Sequence, residues 1–323
     1  MRRIVCREFA PLDHLTIAEE HDPAPGAGEV VVEVRAAGVN FVDALLVQGL
    51  YQVKPPLPFT PGGEVAGEVI AHGAGVTAPP LGARVVVSCG VGGFTDRLVV
   101  PAALARPLPD PLSFAQGAAL VQSYATALFA LTRRCPLRRG DTVLVLGAGG
   151  GVGLACVDVA RHLGAEVIGA ASSPEKRAAA TRAGASATID YASEDLKARA
   201  RALSGGGVDV VVDPVGGPYA EAALRALRPF GRYLIVGFAA GQIPALKANL
   251  VLLQNRSAIG VDWGAWSFAN RDENARLMDE VFALAGSGAL RPPEPASFAL
   301  DQAAAALAAL TERRIAGKVV LLP

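Results

Sequence analysis

The first third of the chain consists of short apolar runs that glycine and proline separate. The clearest run, residues 29–36, places Val30, Val32 and Val34 on one face, which predicts a half-buried strand. Further strands are predicted at residues 4–6, 15–17, 64–71, 84–88 and 94–100. Strands of this length and spacing are typical of a barrel or a sandwich.

The pattern changes near residue 113. Residues 113–134 have a helical period, with Ser113 as the candidate cap. Strands are then predicted at residues 143–146, 167–170, 188–189, 208–212, 233–236 and 256–262, and helices at 152–163, 174–183, 193–203, 218–227, 272–286 and 302–313. This alternation predicts a doubly wound parallel sheet and an α/β fold class. The apolar residues 319–322 predict a final strand that returns to the first domain.

A glycine-rich turn follows the first strand of this parallel sheet. In strict register it reads Ala148-x-Gly150-x-x-Gly153, with Ala at the first position of G-x-G-x-x-G. Glycines there permit a tight turn, close approach of a pyrophosphate and packing of helix on strand. The predicted dinucleotide-binding residues are Ala148, Gly149, Gly150, Gly151, Val152 and Gly153. An ordinary glycine-rich turn is the alternative, but the surrounding strand–helix–strand unit favours a dinucleotide.

The end of the second strand indicates which dinucleotide is bound. NAD enzymes carry an acidic residue there for the ribose 2′-hydroxyl, whereas this chain has Ser172 and Ser173 with Lys176 close behind. A carboxylate would repel a 2′-phosphate, and hydroxyls with a cation would bind it. We therefore predict NADPH; the alternative is that Lys176 and Arg177 are only solvated charges of a helix surface.

Composition narrows the class of protein. The 323 residues carry 30 basic and 30 acidic side chains, so the net charge is zero, which argues against nucleic acid or an anionic membrane as partner. No apolar run reaches the roughly 18 residues of a membrane span, and charge comes too early at the N-terminus for a secretory signal. The four cysteines lack C-x-x-C pairing, which suits a reducing compartment. We expect a cytoplasmic protein.

Several motifs together resemble one family. They are Pro25-Gly26-x-Gly28-Glu29-Val30, Ala37-Gly38-Val39-Asn40-x-x-Asp43, Pro61-Gly62-Gly63-Glu64-Val65-Ala66-Gly67, the glycine turn, Val212-Asp213-Pro214-Val215-Gly216-Gly217, Gly231-Arg232-Tyr233, Asp262-Trp263-Gly264-Ala265-Trp266 and Gly317-Lys318-Val319-Val320. Their order resembles the zinc-independent quinone oxidoreductases (zeta-crystallin-like) of the medium-chain dehydrogenase/reductase superfamily. The resemblance implies a GroES-like β-barrel catalytic domain of residues 1–116 and 263–323, a Rossmann domain of residues 117–262, and a homodimer that pairs through the strand near residues 256–261.

The resemblance also allows a test for metal ligands. Zinc alcohol dehydrogenases have a Cys where Asn40 stands and a His where Gly63 stands, and the four-cysteine structural zinc lobe is missing too. A catalytic zinc needs three protein ligands, and the sequence does not supply them. We therefore predict no metal. Without a Lewis acid, a conjugated acceptor such as a quinone or enone is favoured, because its negative charge is delocalised after hydride addition.

Other site residues are carried over from the resemblance. Asn40 is the predicted hydrogen-bond donor to the acceptor oxygen, or else a cap of the following turn. Tyr51 lines the pocket or packs against residues 55–59. Leu45 replaces a Tyr of many relatives, so the usual proton donor is absent and water is the alternative. The cofactor contacts implied are Thr126, Tyr191, Gly237, Phe238, Asn249 and Lys318; for Tyr191, Asn249 and Lys318, surface or packing roles stay open.

Three functions follow from these residues. The first is NADPH-dependent reduction of a quinone or similar conjugated carbonyl. The second is reduction of an enone or enoyl-thioester double bond, against which the missing Tyr at position 45 weighs. The third is a non-catalytic NADPH-binding protein, which the intact glycine turn and Asn40 disfavour. The acceptor, the proton donor and the choice of dimer or tetramer stay open.

Overall fold

A computed structural model describes all residues from Met1 to Pro323. The chain forms two compact units, and each is described by itself. The first unit comprises Met1–Val121 and Pro293–Pro323, and the second comprises Gln122–Pro292. As the sequence predicted, the last strand belongs to the same unit as the N-terminal residues.

The first unit is built mainly of antiparallel strands. Its elements are β1 (Arg2–Val5), β2 (Thr16–Glu19), β3 (Glu29–Val39), α1 (Phe41–Val47), β4 (Glu64–His72), β5 (Arg84–Ser88), β6 (Arg97–Pro101), β7 (Ala105–Pro107), the start of α2 (Phe114–Leu128), β14 (Ala296–Ala299), α10 (Ala303–Thr311) and β15 (Val319–Leu322). Seven strands form one sheet in the order β14-β15-β3-β4-β5-β7, with β6 paired to β3, and β1 and β2 form a separate pair. Val30, Val32 and Val34 of β3 are buried in its core, as the alternation predicted.

Strand β3 lies at the centre of this sheet and positions a group of polar residues. It runs antiparallel to both β4 and β15, with Gly38 opposite Glu64 and Val39 opposite Val319. In an antiparallel pair, the end of one strand meets the beginning of the other. The residues that follow β3 and those that begin β4 and β15 therefore converge at one edge of the sheet.

The second unit contains the predicted doubly wound sheet. Its elements are the rest of α2, a π-helical turn (Phe129–Arg134), β8 (Thr142–Leu146), α3 (Gly151–His162), β9 (Glu166–Ala171), α4 (Pro174–Ala183), β10 (Ala187–Asp190), α5 (Leu196–Leu203), β11 (Val208–Asp213), α6 (Ala220–Ala226), β12 (Leu227–Ile235), α7 (Ala248–Leu252), β13 (Ser257–Gly260), α8 (Trp263–Ala269) and α9 (Arg271–Gly286). The strands are all parallel, in the order β10-β9-β8-β11-β12-β13. The α/β class is confirmed.

The second boundary between the units lies at residues 292/293, whereas the sequence placed it at 262/263. The difference concerns α8 and α9, which bond to the second unit. Glu280 of α9 pairs with Arg133 at 2.7 Å, and Arg161 of α3 donates to the carbonyl of Ala289 just after α9. These contacts between residues far apart in sequence are not visible in a linear pattern.

Helix α1 is absent from the elements that the hydrophobic pattern predicted. Its signal is a capping box, because the backbone N–H of Asn40 donates to the carboxylate of Asp43 at 2.7 Å. Ser113, in contrast, caps α2 as predicted, since its Oγ accepts from the N–H of Gln116 at 3.0 Å. Strands β7 and β14 and helices α7 and α8 were also missed, because each is seven residues or shorter.

The prediction that nothing is long and apolar enough to span a membrane was wrong for one helical stretch. The helical stretch Phe114–Arg134 is long enough and apolar enough to cross a membrane, judged by length and composition alone. Of the apolar part of this stretch, 72% is buried within the protein, as in the core helix of a globular domain. Alanines, which pack closely between other elements, raise its mean hydropathy without marking it as a span.

Candidate functional site

The glycine turn between β8 and α3 is closely packed on one side. A Cβ atom added at Gly153 would lie 2.1 Å from the carbonyl oxygen of Gly147, and one added at Gly149 would lie 2.4 Å from the Cβ of Lys176. Gly147 itself has φ +58°, which favours glycine. These positions need glycine for reasons of packing, as the motif predicted.

The same turn is open where a ligand would lie. A Cβ atom at Gly150 would meet only the carbonyl oxygen of Gly147, at 3.4 Å. Gly150 is the N-cap of α3, and no side chain accepts from the first N–H groups of that helix. A helix N-terminus with free N–H groups suits a pyrophosphate, so Ala148, Gly149, Gly150, Gly151, Val152 and Gly153 fit a dinucleotide.

The predicted 2′-phosphate residues lie at the start of α4, next to this turn. Lys176 contacts Gly149, as the 2.4 Å approach requires. Ser173 is the N-cap of α4, and its Oγ accepts from the N–H of Lys176 at 3.4 Å. Ser172 is exposed. The structure therefore places Lys176 against the glycine turn and gives Ser173 a capping role, while the part of Ser172 in phosphate binding stays a prediction.

Arg177 has a structural role that the sequence did not indicate. Its guanidinium pairs with the carboxylate of Asp190 at 2.9 Å, joining the start of α4 to the end of β10. Tyr191 follows Asp190, and its ring packs against that of Tyr219 with centroids 4.3 Å apart. Asp190 is thus paired with a cation beside the predicted phosphate-binding residues, which limits its repulsion of an anion.

Further predicted cofactor residues follow β12. Val236 and Gly237 donate to the carbonyl oxygen of Asp213 at 2.9 and 3.3 Å, and Phe238 contacts Gly216 in the loop after β11. Both segments leave the carboxyl edge of the parallel sheet, where ligands of such sheets bind. The structure brings Gly237 and Phe238 to that edge.

Asp213 shapes this edge, although the sequence analysis quoted it only as part of a motif. Its Oδ1 accepts from the N–H groups of Val215 and Gly216, both at 2.8 Å. Its Oδ2 accepts from the hydroxyl of Tyr233, and burial raises the pKa of that phenol. The carboxylate therefore holds a loop in which Gly216 has φ +64°. The sequence signal for this role is an Asp that ends an apolar strand and stands shortly before two glycines.

Two predicted residues lie elsewhere in the second unit. Thr126 is partly exposed on α2, and Asn249 is exposed on the short helix α7. Their assignment to the cofactor stays a prediction.

The first unit contains a buried polar cluster, which we define as Asn40, Asp43, Glu64 and Lys318. Nδ2 of Asn40 donates to Oε1 of Glu64 at 2.9 Å, and Nζ of Lys318 donates to the same oxygen at 2.8 Å. Nζ also donates to Oδ1 of Asn40. Glu64 is 1% exposed, Asn40 7% and Lys318 9%. The structure thus places Lys318, predicted to contact the cofactor, in hydrogen bonds with Asn40 and Glu64.

Asp43 completes this cluster as an acid with a strongly altered pKa. Burial raises the pKa of Asp43 from 3.8 to about 7, although N–H bonds from Asn40 and Gly62 and the charge of Lys318 lower it. Oδ1 of Asp43 is buried without a hydrogen-bond partner. Asp43 and Glu64 are functional candidates that the sequence analysis did not single out. The polar residues Asn40-x-x-Asp43 after an apolar strand were the signal for Asp43, and Glu64 stood in the motif Pro61-Gly62-Gly63-Glu64.

Tyr51 packs at the edge of a small hydrophobic cluster that contains Cys6, Leu46, Val47 and Phe59. This agrees with the packing alternative, because Phe59 ends the segment proposed as its partner. Leu45, which replaces the Tyr of many relatives, is partly exposed on α1. No group of three or more His, Cys, Asp or Glu side chains is placed to hold a metal ion.

Comparison with known proteins decides the family. The alcohol dehydrogenase GroES-like domain family matches residues 26–110, and the zinc-binding dehydrogenase family matches residues 151–282. Quinone oxidoreductase-like protein 2 of Bos taurus is 39% identical over 323 residues, which cover 99% of this chain and 92% of that protein. The chain belongs to the quinone oxidoreductase family of the medium-chain dehydrogenase/reductases.

Solved quinone oxidoreductases have the same fold. The Escherichia coli enzyme, crystallised with NADPH, is 29% identical with a TM-score of 0.89, over 100% of both chains. A mycobacterial protein crystallised with NADPH is 32% identical with a TM-score of 0.89, also over 100% of both chains. The predicted family, the combination of GroES-like and Rossmann folds, and the identification as an oxidoreductase are confirmed.

Proposed function

We propose that this protein is a zinc-independent NADPH:quinone reductase. The observation that supports it most directly is the hydrogen-bonded Asn40 amide, buried at the position where a zinc ligand stands in alcohol dehydrogenases. An amide N–H can stabilise an oxygen whose negative charge is delocalised. Quinones and similar conjugated carbonyls meet this requirement, and simple ketones do not.

NADPH is the cofactor. When bound, it supplies a hydride. The N–H groups at the start of α3 bind the pyrophosphate, while Gly150 leaves room for it. Ser172 and Lys176 bind the 2′-phosphate, and Ser173 holds the start of α4 in place. Thr126, Tyr191, Gly237, Phe238 and Asn249 remain proposed contacts.

The polar cluster supports the proposed independence of zinc. The ammonium of Lys318 already lies among Asn40 and Glu64, and neither Asn40 nor Gly63 is the ligand that zinc enzymes have there. A divalent cation added to this cluster would be repelled by Lys318. Zinc also takes three protein ligands in catalytic sites, which the cluster lacks.

The acceptor is the part of the proposal that turnover measurements can decide. We would follow NADPH oxidation by absorbance with a panel of quinones, enones and an enoyl thioester, each with and without chelator. A quinone reductase should prefer quinones and keep its rate with chelator. A preference for enones would favour the alternative double-bond reductase, and loss of the rate with chelator would contradict zinc independence. Absence of turnover with every acceptor would favour a non-catalytic NADPH-binding protein.

We further propose a homodimer that pairs through β13. This strand ends the parallel sheet and has one paired side, and an unpaired strand edge can pair across a two-fold axis. Leu252 and Leu253 precede it and are 73% and 70% exposed. Sedimentation at micromolar concentration should give the mass of a dimer. A monomer would contradict the proposal, and a tetramer would require a second interface.

A cytoplasmic location is proposed from the cysteine pattern.

A further inference from the structure

The amide of Asn40 lies between two partners that have opposite hydrogen-bonding capacities. Lys318 has an ammonium, which only donates, and it bonds to Oδ1. An ionised Glu64 only accepts, and it bonds to Nδ2 at 2.9 Å. If the amide turned over, its NH2 group would face the ammonium and its oxygen would face the carboxylate. Both contacts would then be repulsive, so the two partners together define one orientation.

Lys318 and Glu64 are also hydrogen-bonded to each other. Nζ of Lys318 donates to the same Oε1 of Glu64 that Asn40 bonds, at 2.8 Å, so the three groups form a closed triangle. With Glu64 1% exposed and Lys318 9% exposed, water cannot readily replace either partner. Buried polar side chains that are bonded to one another, as these three are, restrict each other's orientation. The orientation of Asn40 is therefore fixed by Glu64, the first residue of β4, and by Lys318, which immediately precedes β15.

One of the two N–H groups on the side-chain amide of Asn40 is not used by Glu64. Nδ2 carries two hydrogens, and Glu64 accepts one of them. The backbone N–H of Asn40 is already bonded to Asp43, so the second hydrogen of Nδ2 is the donor that the residue retains for a ligand.

We propose that Lys318 and Glu64 are positioning residues that orient the Asn40 amide, so that its remaining N–H bonds the oxygen of the acceptor. The inference rests on the proposed function, in which Asn40 is the catalytic residue. It differs from the sequence prediction, in which Lys318 contacts the cofactor. It assigns to Glu64 a role that no motif had suggested.

A double-mutant cycle tests this positioning role. Asn40→Ala should lower kcat for quinone about 100-fold, as for loss of one oxyanion donor. Lys318→Met should lower kcat about 10-fold through misplacement of the amide. If Lys318 acts through Asn40, Lys318→Met should change kcat less than about 2-fold in the Asn40→Ala background. The same 10-fold loss in both backgrounds would overturn the proposal, because it would indicate a general structural effect.

Two further variants keep the test decisive if Lys318→Met folds poorly. Lys318→Arg keeps a donor-only cation and should recover most of kcat. Lys318→Met combined with Glu64→Gln leaves no unpaired buried charge, and it should fold yet still lose about 10-fold in kcat. The dissociation constant of NADPH, from fluorescence titration, should stay within about 2-fold for all of them. A tenfold weakening of NADPH binding would instead support the cofactor contact of Lys318.

Nuclear magnetic resonance separates a failure of this inference from a failure of the proposed function. The side-chain NH2 of Asn40, assigned from the resonance lost in Asn40→Ala, should exchange slowly and have a single conformation in the wild type. In Lys318→Met it should broaden or exchange faster. This result holds whether or not the enzyme reduces quinones. An unchanged resonance in Lys318→Met would show that Lys318 does not orient the amide.

Discussion

The glycine turn and the buried polar cluster are two regions that prepare a protein for ligands in different ways. The turn exposes main-chain N–H groups and owes its shape to missing side chains, with approaches as short as the 2.1 Å that a Cβ at Gly153 would make to Gly147. The cluster consists of charged side chains that neutralise each other, as Lys318 and Glu64 do at 2.8 Å. The turn is therefore sensitive to added side-chain atoms at its packed positions, whereas the charge cluster is sensitive to the loss of one partner.

The largest effect is expected from Gly153→Ala, which tests the backbone site. The added Cβ must displace the carbonyl of Gly147, so the turn moves and NADPH binding should weaken at least 100-fold, with loss of stability. Gly150→Ala should keep normal stability, because its Cβ meets only one atom at 3.4 Å, and should still weaken NADPH binding. Isothermal titration and thermal unfolding measure the two properties.

A matched control is Gly264→Ala in α8, where a Cβ meets only Oδ1 of Asp262, at an ordinary contact distance of 3.5 Å. It should leave both NADPH binding and stability unchanged. Normal NADPH binding by Gly153→Ala would mean that the tight packing of the turn is unimportant for the cofactor.

The second prediction concerns the charge cluster. Glu64→Leu leaves the ammonium of Lys318 buried with no carboxylate partner, which should cost about 3–5 kcal/mol. Glu64→Leu combined with Lys318→Met removes both charges and should recover most of that loss. The shift in the apparent free energy of unfolding in urea measures the cost.

Strand β4 offers a control for this pair, because Glu68 pairs with Arg35 at 2.9 Å near the surface. Glu68→Leu should cost at most about 1 kcal/mol. Equal losses for Glu64→Leu and Glu68→Leu would contradict the view that burial makes the first pair sensitive.

The third prediction follows from the altered pKa of Asp43, about 7 in the folded protein against 3.8 ordinarily. The folded state binds a proton more tightly than the unfolded state, so Asp43 makes the protein less stable as pH rises from about 4 to 7. Asp43→Asn keeps an acceptor for the N–H of Asn40 and carries no charge. Its advantage in stability over the wild type should therefore grow by about 1–3 kcal/mol as the pH rises from 5 to 8.

Urea unfolding at several pH values measures this gain. Lys318, Glu64 and Cys89 also interact electrostatically with Asp43, so Lys318→Met should raise the pKa of Asp43 further. A stability difference between Asp43→Asn and wild type that is independent of pH would refute the raised pKa.

The smallest effect is expected at the 2′-phosphate residues. Ser172→Asp adds a carboxylate at an exposed position at the end of β9. It should lower the ratio of kcat/KM for NADPH to that for NADH about 10-fold, through repulsion of the 2′-phosphate. Ser172→Asn is a neutral control of the same size and should change the ratio less than about 3-fold. An unchanged ratio in Ser172→Asp would move the phosphate site away from Ser172.

The sequence by itself determined the features that are local. The spacing of apolar runs indicated the parallel sheet, and the glycine register identified a turn that the structure confirms down to the open face of Gly150. Ser113 was identified as a cap because the bond to Gln116 joins residues three apart. In each case neighbouring residues carry the whole signal.

Tertiary structure alone decided the polar cluster. Asn40, Glu64 and Lys318 meet because β3 pairs with β4 and with β15, so residues up to 278 positions apart come into hydrogen bonding. No linear pattern gives the burial that raises the pKa of Asp43 or the bonds that attach α9 to the second unit. The physical reason is that charges act through space and burial, and strand register sets both of these across segments distant in sequence.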